Sequence, residues 1–153
     1  DYISYAIPYF ANESSVVVDG VKIGQFQAYN VVGLKTVRKI IDVSSISAGG
    51  EKHYDYVANG VKKLALTISA KYDASAGDGV RVYLLASPDR FSTFDSENVN
   101  DCFAYIEPTF SAGNTRIKTV NFDVLPKYVR ILVRNKDGTY ATGAVKVWLH
   151  EVY

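Results

Sequence analysis

At 153 residues, 48% hydrophobic and 22% charged, the chain suits one globular domain that buries a core without metal or disulfide help, and neither disorder nor coiled coil fits. Seventeen basic against sixteen acidic residues leave +1, which gives no electrostatic footprint for nucleic acid or anionic lipid. No apolar run approaches the ~20 residues of a membrane span.

The chain opens on Asp1 and holds no methionine, which points to a leader or initiator residue removed by signal cleavage, maturation or cloning. Its first segment, Asp1–Asn12, carries Tyr2, Ile3, Tyr5, Ile7, Tyr9 and Phe10, and Pro8 argues against a central strand there. So apolar an end must pack on something, either its own domain or a neighbouring subunit. In the second case Tyr2, Tyr5, Tyr9 and Phe10 anchor an arm, by aromatic contact or by strand addition to an open edge. The expected organisation is an arm over residues 1–12 and a sandwich over residues 13–153. Asn12-Glu13-Ser14 is a glycosylation sequon, relevant only to a protein secreted by a glycosylating cell.

Ser15–Val18 and Val21–Ile23 flank Asp19-Gly20, a two-residue hairpin signal, because both positions tolerate positive φ. Strands are then predicted over Leu34–Val43, Glu51–Val57, Lys62–Tyr72, Val80–Ala86, Cys102–Ile106, Arg116–Val124, Tyr128–Asn135 and Ala144–Tyr153. Lys62–Tyr72 alternates most regularly, with Leu64, Leu66, Ile68 and Ala70 on one side. In the last strand, Val145, Val147 and Leu149 oppose Lys146, Trp148 and His150. Asn59-Gly60, the small residues Ala74–Gly79 and Lys136-Asp137-Gly138 mark turns. Ser87–Asp101 is the longest polar connection, with Phe91 and Phe94 embedded in it. About eight to ten strands with hairpin-like or short connections predict an all-β, two-sheet antiparallel sandwich of jelly-roll type or a related form.

Motifs of catalysis are absent: there is no Gly-x-Ser-x-Gly elbow, His-Glu-x-x-His helix, phosphate loop or Cys-x-x-Cys pair. Cys102 reads as a small buried hydrophobe without a nucleophile's surroundings, and its solitude fits a reducing compartment or an exported protein without bridges. His53 and His150 are the only histidines. Asp95, Glu97, Asp101 and Glu107 are the carboxylates from which a glycosidase pair could come, and Asp95–Asp101 could hold calcium through oxygen ligands, although both readings compete with simple solvation. No catalytic, cofactor or metal residue is therefore assigned, and the expectation is a protein that is not an enzyme. Twelve tyrosines beside seven phenylalanines suit strands and interfaces alike. Trp148, Tyr83 and Tyr140 are the aromatics expected at the surface, where they serve a subunit contact or, in the alternative, stack on sugar rings.

From Lys62 onward the chain resembles the jelly-roll virion proteins of tailed phages and archaeal viruses, including head-decoration and tail-associated subunits. The residues that carry the likeness are Leu64–Ala76, Gly79–Asp89 with its Ser87-Pro88-Asp89 loop, Phe94-Asp95, Tyr128–Asn135 and Gly143–Trp148. The resemblance implies a structural subunit, in a virion or outside the cell, that binds its own copies or a protein lattice such as a capsid. It carries over no site residues. A carbohydrate-binding module or an extracellular filament subunit is the alternative.

Overall fold

The computed structural model describes residues 33–123 and 125–153. The arm over residues 1–12, with Tyr2, Tyr5, Tyr9 and Phe10, and the Ser15–Ile23 hairpin lie outside the described residues, as does the expected domain boundary at residue 13. The strands belong to a compact unit running Lys35–Tyr153. They are β1 (Lys35–Val43), β2 (Glu51–Val57), β3 (Lys63–Lys71), β4 (Val80–Ser87), β5 (Ala104–Ile106), β6 (Thr115–Phe122), β7 (Tyr128–Asn135) and β8 (Val145–Val152). No helix occurs among the described residues, and so none there is long and apolar enough to cross a membrane.

The strands form two antiparallel sheets of four. The first, here sheet I, runs β1-β8-β3-β6, and the second, sheet II, runs β2-β7-β4-β5. Period-two alternation turns one face of each sheet inward. Leu64, Leu66, Ile68 and Ala70 of β3 and Val145, Val147 and Leu149 of β8 meet Val80, Val82 and Leu84 of β4 and Val129, Ile131 and Val133 of β7 in one buried core. Burial of this kind stabilises by about 25 cal/mol per Å² of apolar surface, so these residues set the sandwich before any polar contact does.

The connections differ from the hairpin-like links expected. Strand pairs nest: β1 with β8, β2 with β7, β3 with β6 and β4 with β5. Only β4 and β5 are both consecutive and paired, and every other link crosses from one sheet to the other. The Asn59-Gly60 turn thus makes a corner between sheets, with Gly60 at φ +71°, and does not close a hairpin. A turn dipeptide reports a local reversal and is silent about which strand the chain meets next.

Two buried polar residues tie the loops at one end of the sandwich. The Asn135 amide donates to the carbonyls of Ile46, Ser47 and Tyr140 at 2.9–3.2 Å. Asp137 accepts backbone N–H groups from Gly77, Asp78, Thr139 and Tyr140, which together hold its carboxyl down to about 2. Nearby, Gly79 lies at close approach: a Cβ there would sit 3.1 Å from the buried Tyr72 ring, which would have to give by a few tenths of an ångström.

Candidate functional site

The outer faces of the two sheets have opposite characters. On sheet II, the outward positions Tyr83, Leu85 and Leu132 are apolar and buried, because the connection from β4 to β5 folds back over them with Phe94 and Cys102. Asp95 accepts the Ala86 N–H at 2.9 Å, and Glu97 forms a two-pronged ion pair with Arg134 at 2.6 and 2.7 Å. Arg130 grips Asp55 at 2.7 and 3.0 Å while its guanidinium lies 4.1 Å from the centre of the Phe94 ring. The bend itself uses left-handed Arg90 and Phe91 (φ 59° and 69°), held by Ser87 Oγ accepting the Phe91 N–H and by Asp89 accepting from Thr93. The stretch read as a polar, solvated connection is therefore a lid over a second small core.

Sheet I has no such lid among the described residues. Its outward positions include Val37 on β1, Trp148 and His150 on β8, Thr67 on β3, and Ile117 and Thr119 on β6. Val37 and Ile117 are 60% and 67% exposed. Trp148 sits mid-face and half-buried, in register with Lys39 on one side and Thr67 on the other. Thr67 Oγ1 bonds both Thr119 Oγ1 at 2.7 Å and His150 Nε2 at 2.8 Å, so a short polar chain runs across the face. A recess of about 200 Å³ beside it is lined by Ala65, Asn121, His150 and Val152 among others.

The free edges are guarded against strand addition. β1 carries a register shift between Lys39 and Ile41, and β5 has three residues. β2 turns Lys52 inward, and β6 places Arg116 and Lys118 at exposed positions across from core residues Ala70 and Ile68. Bulges, short strands and inward charges all disfavour edge pairing. Among the described residues, the face of sheet I, and not an edge, is the open surface of this unit.

Of the aromatics expected at the surface, Tyr83 proves buried, at 5% exposure, beneath the lid, and its hydroxyl accepts from Arg81 at 3.0 Å. Alternation alone put it outward, but an outward position is wet only where nothing covers the sheet. Tyr140 is exposed in the loop before β8, away from Trp148's strand neighbours, which leaves Trp148 as the aromatic on the bare face.

The chemical candidates do not converge. Cys102 packs under the lid, and burial pushes its thiol up, away from nucleophilic thiolate. His150 belongs to sheet I, and His53 lies on β2, three strand spacings or about 14 Å from β5, the strand just after Cys102. Burial raises Glu107, but Lys136 and Arg81, both at 2.7 Å, outweigh it and hold the carboxyl below its ordinary range, contrary to the need of a general acid. Among the described residues no three His, Cys, Asp or Glu side chains group as a metal site; the Asp95–Asp101 acids engage the sheet or point to solvent.

No family model matches this chain, and no curated protein matches it. Among solved structures it is similar to a chain of Bacillus endospore appendages, described as a novel family of disulfide-linked pili, at 15% identity over 77% of this chain and 88% of that one, with a TM-score of 0.42. A likeness of that depth reports partial agreement of the chain trace and no more.

Proposed function

We propose that this protein is a non-catalytic structural subunit of a virion or extracellular assembly, built as a jelly roll and bound to neighbouring subunits through a sheet surface and its aromatic N-terminal arm. The nested pairing of β1 with β8 through β4 with β5 supports the jelly-roll assignment, since rolling up one long eight-stranded ribbon gives that order. The observation that carries the subunit reading is the contrast between faces. The sheet II face is sealed by an intramolecular lid, whereas the sheet I face leaves Val37, Ile117 and Trp148 uncovered by any described element. Apolar and aromatic residues on a flat surface favour protein contact.

Light scattering on the full chain and on a chain lacking Asp1–Phe10 tests the reading. Association, or binding to a lattice, is expected for the first and weakened in the second. An unchanged monomer in both, with no lattice partner bound, would discard it. Trp148 amid the Thr67–His150 polar chain also favours a second reading, glycan stacking, in which Trp148→Ala abolishes binding on a glycan array while the fold persists.

A further inference from the structure

We propose that the face of sheet I, which no described residue covers, receives the lid loop, Ser87–Phe103, of a second copy of this chain, a contact that rests on the subunit reading above. The net charge of +1 conceals two surfaces of opposite sign. Outward on sheet I stand Lys35, Lys39, Lys63, Lys71 and Lys146, against one strand carboxylate, Asp42, which Lys39 already holds at 2.8 Å. The lid carries Asp89, Asp95, Glu97 and Asp101 against Arg90 of its own and Arg134 of β7, which already holds Glu97, so acid remains in excess there. Inward, the lid's acids fasten it to sheet II; outward, its Ser96–Asp101 tip is exposed throughout.

Apolar surface matches as the charge does. The face offers Val37, Ile117 and Trp148, and the lid side offers Val99, Phe103 and the neighbouring Tyr105. The 200 Å³ recess beside His150 has room for one such side chain. A basic, partly apolar platform facing an acidic, partly apolar loop is complementary in both respects, which steers encounter and fixes orientation. The guarded edges leave strand addition the poorer route. Because the two patches lie on opposite outer faces of one sandwich, the contact is head-to-tail. Such a contact does not close into a two-fold dimer; it propagates into a ring or filament.

A charge swap tests this by concentration-dependent light scattering on the full chain. Lys39→Glu with Lys146→Glu reverses the face, and Val99→Lys with Asp101→Lys reverses the lid tip. Each pair alone is expected to raise the concentration of half-association at least about tenfold, and the four together to return it to within about threefold of the unaltered chain. Circular dichroism checks folding; Lys35→Glu with Lys63→Glu, both at exposed sites, replaces the face pair should that pair misfold. If the lid pair has no effect, or the fourfold variant stays as weak as either pair, this contact is wrong and the subunit reading survives, with the face serving the arm, a glycan or another partner. If the unaltered chain stays monomeric at every concentration and binds no lattice, both fall.

Discussion

Glu151 is 3% exposed, yet its carboxyl is held below the ordinary value of 4.5. Burial pushes it up; donors from two strands, β1 and β2, overcome that. Tyr56 Oη donates to it at 2.6 Å, Arg38 Nε at 3.1 Å, Thr36 Oγ1 at 3.2 Å and Tyr153 Oη at 3.3 Å. Burial first and the bond to Glu151 second raise the Tyr56 hydroxyl, the Glu151 bond raises the Arg38 guanidinium, and these contacts join β1 and β8 of sheet I to β2 of sheet II. A depressed carboxyl stabilises the fold above its unfolded value, and that stability fades as pH falls through the lower folded value. Arg38→Ala removes the strongest donor and leaves burial dominant, so the carboxyl moves up and the sign reverses: its penalty is present at neutral pH and shrinks as acid protonates it. The expected loss is about 2–3 kcal/mol at pH 7, below the figure for a fully buried pair because Arg38 is half exposed, and smaller near pH 4.5. Urea unfolding of both chains at the two pH values measures this; an equal deficit at both would refute the assignment.

The lid is the element on which most of the described unit's asymmetry depends, and it grips sheet II through both acids and apolar side chains. Phe94 packs on Tyr83, Leu85 and Leu132 and carries Arg130 on its ring. Phe94→Ala removes that contact and half-frees the bidentate pairs, so a loss of about 2 kcal/mol is expected, less than for a fully buried phenylalanine. Limited proteolysis should cut first within Ser96–Asp101; a variant as stable and as resistant as the parent would show that Phe94 does not fasten the lid. Strand identities were legible in the sequence because each inner face keeps period two, and all eight predicted strands from Leu34 onward lie within about two residues of those found. The lid left a fainter trace: Tyr83, Leu85 and Leu132 are large apolar residues at outward positions, which already says that both faces of β4 and β7 are covered. Phe94, an aromatic set among acids, supplies the cover with Cys102, and Phe91 packs behind it on Phe94 and Tyr128.

At the scale of the molecule, what stayed hidden is what depends on distant pairing. Trp148 is readable as an outward aromatic, but a face uncovered by any described residue exists only because β1, β8, β3 and β6 share a sheet that the lid does not reach, and residues over 100 positions apart, such as Lys39 and Trp148, become neighbours there. The charge total likewise conceals a basic face and an acidic loop, since a sum carries no position. The same nested pairing governs how the fold responds to truncation. Residues 35–153 hold all eight described strands and both described cores, so that fragment alone is expected to unfold cooperatively, with a heat-capacity change of about 1.5 kcal/mol/K for ~120 residues. Ending the chain at Gly143 is different, because β8 is hydrogen-bonded on both sides, to β1 and to β3, and contributes Val145, Val147 and Leu149 to the core. That shortened chain should show no cooperative transition by calorimetry. The intact chain, which must bring β8 against β1, should refold in milliseconds to seconds and not in microseconds. A cooperative transition in the chain ending at Gly143 would mean that sheet I is held together by something other than its central strand.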